Sequence, residues 1–403
     1  MHFETAPSVY WFVLEMKFMK KILLRTLSYL LVATLASAAT FGLCQYGAKG
    51  KLEGLQTLLE HYFIEEVDEK AVEDAAAAAM VDALGDRWSY YQSAEEHVLY
   101  QNVMSNTFVG VGITISLRED GQGLDILEVT AGGPAQDAGV LSGDRLIKVD
   151  GTDIQGMTVS EVSTLLKGEE GTFVELTLIR AEEELKLSVE RKRINSVVAT
   201  GQLLSDGIGL ITIANFDERC AQETIAVIQD LRSQGAEALI FDVRYNPGGY
   251  KREMVALLDY LLPEGDLFRT VDYRGREQVD TSDASCLEMP MAVIMNLYSY
   301  SAAEFFAAAL NEYDAAVTVG EKTYGKGYFQ NTFEFRDGSA VTLSIGKYYT
   351  PKGVSLAGVG LTPEVEVALT EEEAALLLSG LLPVEEDPQV QAAINALKAE
   401  KAT

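Results

Sequence analysis

Histidine is scarce in this chain. Of 403 residues only His2, His61 and His97 are histidine, all in the first quarter. A Ser/His/Asp triad therefore cannot be assembled from the second half of the chain. Any serine nucleophile there needs another base. Cysteine is equally rare. Cys44, Cys220 and Cys286 match neither zinc-ligand spacing nor a disulfide framework. Buried free thiols are the simplest reading, with one pair in an oxidising compartment left open. Basic charge is also short: 32 Lys and Arg stand against 61 Asp and Glu, a net charge of −29 and a pI of about 4.4. Nucleic acid and an anionic membrane surface are thereby excluded as main partners, since both require basic patches.

What the chain does have is apolar residues, 48% of the total. That suffices for sizeable cores, and the length suggests two to three domains. At the N-terminus Lys17, Lys20, Lys21 and Arg25 precede an uncharged run from Thr26 to Leu43. The run is long enough for a helix to span a bilayer. Basic residues ahead of it predict a cytoplasmic N-terminus and an exported remainder. Residues 1–50 are thus expected to be a tail and membrane anchor at the cell membrane. A cleaved signal ending near Ala36-Ser37-Ala38, giving a secreted protein, is the alternative. Met16 or Met19 is a further candidate start, because residues 1–15 add nothing to the export signal.

Residues 51–107 read as an acidic helical arm. LEGLQTLLEHYFIEEV carries apolar residues at helical spacing, and AVEDAAAAAMVDAL is strong helix former throughout. DRWSYY (86–91) reads as an aromatic helix exit, in an ordinary packing or dimerising arm. From Phe108 short alternating strands take over: VGVGITI (109–115), PAQDAGVLSGDRLIKVDG (134–151) and TFVELTLIR (172–180). Residues 108–192 resemble a PDZ domain, most specifically in the frame from Ala138 to Gly151. In such a domain a glycine-rich loop offers amides to a peptide's C-terminal carboxylate, and the peptide adds as a strand. Gly110, Val111, Gly112 and Ile113 occupy that place. A small β-domain that binds nothing is the plainer reading.

Residues 193–369 alternate apolar strands with amphipathic helices, which predicts an α/β core with a buried sheet. In such folds functional groups gather in loops after strand ends. NPGG (246–249) follows ALIFDV, and Ser301 follows AVIMNL. Ser301 with Glu304 is first of all a capping box. A serine at a helix start is also placed for acyl transfer, because first-turn amides lack intrahelical partners and can face an oxyanion. The Ala302 amide is one candidate donor and Gly248, otherwise an ordinary turn glycine, a second. Lys326 sits between glycines in YGKGYFQ (324–330). It is either a solvated surface lysine or, if desolvated, a base for Ser301. Gln330, four residues on, would share its face of a strand and orient its amine.

These segments together resemble the carboxyl-terminal processing peptidases of family S41, tail-specific serine proteases with an embedded PDZ domain, over roughly residues 50–400. The family's SASASE and FGKGTVQ motifs are similar to SYSAAE (299–304) and YGKGYFQ here. The resemblance implies Ser301 as nucleophile, Lys326 as base, Gln330 as its orienting amide, and Gly248 and Ala302 as oxyanion donors. It implies neither metal nor cofactor. Its substrates would be extracytoplasmic proteins captured by their C-termini. Residues 370–403 are similar to the family's C-terminal helical arm, and helical arms at both ends suggest a homodimer. Tyr300, Ala303, Tyr328 and Phe329 depart from the usual residues, and DRWSYY lacks the usual proline; these bear on specificity more than on the reaction. Two other readings stand beside this one: a catalytically inactive extracytoplasmic PDZ scaffold, and a carrier of apolar ligands.

Overall fold

Apolar runs such as ALIFD (238–242) and MAVIM (291–295) are what a strand buried on both faces requires. In the computed structural model they lie at the centre of a six-stranded sheet. The structure describes residues 50–118 and 121–401, preceded by helical residues 19–21, 24 and 26–37. The chain divides into two units, residues 1–76 and 77–403, the division falling within the helix Glu69–Asp82.

The strand order of the sheet is Ala199–Leu203, Ile208–Ile213, Ala238–Asp242, Met291–Met295, Ala316–Gly320, Val365–Glu366. The first pair is antiparallel and all later pairs are parallel. Side chains alternate between two cores, as the period of two demands. Leu239, Phe241, Val293 and Met295 face one side, where Leu257, Phe305 and Phe306 of the helices Lys251–Leu261 and Ala302–Glu312 meet them. Ile240, Ala292 and Ile294 face the other side and meet Val390, Ala393, Ile394 and Leu397 of the helix Pro388–Lys401. That helix thus spends its apolar face on the sheet, and the homodimer that the resemblance implies for the two helical arms is not shown. A buried ion pair anchors it: Arg244 contacts Asp387 at 2.8 Å and Asp242 at 2.6 Å, and all three side chains are almost wholly buried.

Residues 113–190 form a separate six-stranded unit with its own core around Leu124, Leu146, Leu176 and Leu178. It joins the rest through a two-stranded stalk, Thr107–Gly110 against Lys192–Asn195. VGVGITI is therefore not one strand. It breaks at Val111-Gly112, where Gly112 has φ 77°, a conformation that favours glycine. Gly110 belongs to the stalk, and Ile113 opens the edge strand Ile113–Leu117. Among the described residues that strand pairs on one side only, leaving an edge to which a peptide strand can add.

Two expectations change. DRWSYY does follow the end of the helix Glu69–Asp82, but it runs into a strand: Tyr90–Gln92 pairs with Ala340–Thr342 of the long strand Ala340–Tyr349. The membrane anchor lies partly outside the described residues. Among the described residues, no helix is long and apolar enough to cross a membrane, so the expected transmembrane segment is not supported.

Candidate active site

Because the central strands are parallel, the loops after them leave from the same edge of the sheet. The loop after Ile208–Ile213 carries Asp217. The next carries Gly248 and Gly249. The loop after Met291–Met295 carries Ser301, and that after Ala316–Gly320 carries Lys326. All five residues line one cleft of about 620 Å³. A wall of this cleft comes from residues 88–104, with Trp88, His97 and Tyr100 among its lining. Nothing in the sequence pattern of that arm marked it as part of a site; its density of aromatic residues was the only signal.

Ser301 is buried, at 5% exposure, and starts the helix Ala302–Glu312 with φ 58° and ψ −126°. L-residues rarely adopt this backbone, and such strain is typically retained where function requires it. Gly248 presses against it. A Cβ at Gly248 would stand 2.7 Å from the Ser301 Cβ and 2.8 Å from the Ala302 nitrogen, and its φ of 90° suits glycine. The Ala302 amide makes no hydrogen bond among the described residues, as a first-turn donor aimed at a ligand should. The Gly248 amide is already committed, donating to the buried Asn246 Oδ1 at 2.8 Å. The predicted pair of oxyanion donors is therefore half open in this state. The neighbouring Gly249 amide has no partner among the described residues.

Glu304 is the hub of the site. Wholly buried, its carboxylate accepts four hydrogen bonds. The amides of Ser301 and Lys326 donate to Oε2, each at 2.9 Å. The Thr323 hydroxyl and the Gly325 amide donate to Oε1, each at 2.6 Å. The capping residue seen in S-x-x-E thus also ties the serine helix to the lysine loop. Capping and catalysis are not competing explanations here. Burial raises the pKa of Glu304 and these four bonds oppose the rise. With four donors pointing at it and nothing to donate to, the group is a carboxylate.

Lys326 is half-buried, and its Nζ lies 4.2 Å from the centroid of the Trp88 ring. No acceptor bonds its amine among the described residues. Burial lowers its pKa from 10.5 to about 8, against the opposing pull of Glu304 and Asp86. Lys326 is thus not a fully exposed surface side chain. Gln330 lines the same cleft, but its amide nitrogen donates to the Tyr328 carbonyl at 3.0 Å and the Ser344 hydroxyl at 3.1 Å. The shared strand face expected of Lys326 and Gln330 does not exist: Lys326 precedes the strand Tyr328–Glu334, and a bulge falls between Phe329 and Gln330. Sequence reasoning missed Tyr348. Its phenol faces the Ser301 side chain, and burial pushes its pKa up to about 12, eased by that contact.

The sequence pattern of peptidase family S41 matches residues 207–367, and that of a PDZ domain matches residues 126–180. The chain is 31% identical over 324 residues to the carboxy-terminal processing protease CtpA of Bacillus subtilis, covering 80% of this chain and 69% of that protein. It is 30% identical over 321 residues to a probable CtpA-like serine protease of Staphylococcus aureus, covering 79% of this chain and 64% of that one. A crystal structure of a putative S41 protease from Bacteroides fragilis shares the fold, with a TM-score of 0.54 and 18% identity over 81% of this chain and 90% of the other.

Proposed function

Because the chain belongs to peptidase family S41, the carboxyl-terminal processing serine proteases, we propose that Ser301 and Lys326 form its nucleophile–base pair and that its substrates are proteins presented by their C-termini. One observation carries this reading. A lysine held near neutrality by burial shares a cleft with a strained serine, and one carboxylate positions the backbone of both.

Neutral Lys326 takes the Ser301 proton as Oγ attacks the scissile carbonyl. The Ala302 amide donates to the oxyanion. Gly248 is the second donor once Asn246 shares or releases its amide. The Lys326 ammonium then protonates the departing amine. The lysine, neutral again, deprotonates a water that hydrolyses the acyl-enzyme. Gln330 orients the lysine in this scheme only if its side-chain carbonyl turns to the amine, since its nitrogen is engaged elsewhere. The open edge of Ile113–Leu117 receives the substrate's C-terminal strand, with the turn at Val111-Gly112 taking the terminal carboxylate.

We place the peptidase outside the cytoplasm, held at the membrane or released after cleavage, on the strength of the basic cluster and uncharged run before residue 44. The test is incubation of the chain with an unstructured protein ending in apolar residues, beside Ser301→Ala and Lys326→Ala. Cleavage by the parent alone supports the assignment. Cleavage surviving in Ser301→Ala overturns it.

A further inference from the structure

Asp217 has no role in the chemistry above, yet it lines the same cleft. Its side chain is buried at 4% exposure, and Oδ1 makes no hydrogen bond. Such an orphaned buried oxygen calls for a partner. It lies directly beneath the loop that abuts Ser301: a Cβ at Gly249 would meet Asp217 Oδ1 at 2.6 Å, while a Cβ at the adjoining Gly248 would meet Ser301.

Among the described residues no Lys or Arg forms an ion pair with it. Two arginines of the neighbouring segments are engaged elsewhere, Arg252 with Glu218 at 3.0 Å and Arg219 with Glu223 at 2.9 Å. The charges that act on it, Glu218 and Glu253, are of its own sign. Two phenols stand close enough to feel its charge, Tyr100 and Tyr250, and both line the cleft. A carboxyl in an aromatic wall, without a counter-ion, is the chemistry that receives a long cationic side chain. The rings take the apolar stem and the carboxylate takes the charge.

We propose that Asp217 is a specificity residue, the floor of a subsite for a lysine or arginine side chain of the substrate beside the scissile bond. The inference rests on Ser301 being the nucleophile of this cleft. Burial, with Glu218 and Glu253, lifts the Asp217 pKa to about 7. An arriving ammonium or guanidinium favours the carboxylate, whose proton leaves to solvent, and gains the pair.

The test uses the full chain and internally quenched peptides in which Lys, Arg, Gln, Leu or Glu is stepped through each position flanking one cleavable bond. At one position Lys and Arg are expected to exceed Gln in kcat/KM by roughly tenfold or more. Asp217→Asn should bring that ratio to about one, and Asp217→Glu should retain part of it. Melting curves establish that the variants fold. No position preferring a cation, or a preference that survives Asp217→Asn, overturns the proposal. Binding of the Lys and Gln peptides to Ser301→Ala, and to that variant carrying Asp217→Asn, reads the subsite without chemistry. A binding preference lost in the double variant, with no cleavage by the parent, would keep the subsite and sink the nucleophile. Cleavage without any such preference would do the reverse.

Discussion

Replacing Glu304 by glutamine leaves the shape of the site almost unchanged and should nevertheless damage it in two separable ways. The carboxylate now accepts two bonds on each oxygen. Whichever oxygen becomes an NH₂ group, two buried donors lose their acceptor and face another donor. At about 1–3 kcal/mol for each unsatisfied group, the cost is roughly 2–6 kcal/mol, read as a fall in Tm of about 2–7 °C. The second effect is electrostatic and runs the other way from intuition. The Glu304 charge raises the Lys326 pKa, against burial, which lowers it. Removing the charge leaves only Asp86 to oppose burial, so the pKa falls further below about 8. The acid limb of kcat/KM against pH should then shift to lower pH even as the plateau drops. The assay is a pH–rate profile on one quenched peptide beside a melting curve. A limb that stays in place or moves upward, or an unchanged Tm, refutes the claim that Glu304 both couples the two loops and holds up the lysine.

Further outcomes are expected. In the parent, kcat/KM should rise about tenfold per pH unit up to about pH 8 and level off above it; a flat profile between about pH 5 and 9 removes Lys326 as base. The folded pKa of Lys326 lies below its unfolded 10.5, so the unfolded chain binds the extra proton and the site destabilises the fold at neutral pH. Lys326→Met should abolish activity and stabilise by up to about 3 kcal/mol at pH 7, a gain that shrinks as pH rises from about 8 toward 10.5 in pH-resolved denaturation. Trp88→Ala opens a wall of the cleft to water, returns the lysine toward its ordinary pKa and should move the acid limb up in pH. Gly248→Ala puts a Cβ 2.7 Å from that of Ser301 at a φ of 90°, and should cost roughly a hundredfold or more in kcat with substrate binding retained.

Much of this protein can be read from its sequence for local reasons. A continuous apolar run bounded by turn residues requires a buried strand. Alternation of apolar strands with amphipathic helices predicts a parallel sheet whose loops share an edge. With no histidine in the second half of the chain, lysine is the candidate base local to Ser301. Even Glu304 is visible as a capping residue. Hydrogen-bond commitments are another matter, because each depends on atoms far apart in sequence. That the Gly248 amide is held by Asn246, or that Gln330 turns its nitrogen away from the lysine at a bulge, was decided by packing. The same holds for the arm from Trp88 to Tyr100. Helix propensity describes its segments correctly but cannot say that one short strand pairs with Ala340–Thr342 and carries an indole onto Lys326. A pKa is set by what surrounds a group, and an unpaired carboxyl at Asp217 exists only once the cleft has closed around it. The sequence by itself determined which residue types were available for chemistry; the tertiary structure alone decided which of their atoms were left free to perform it.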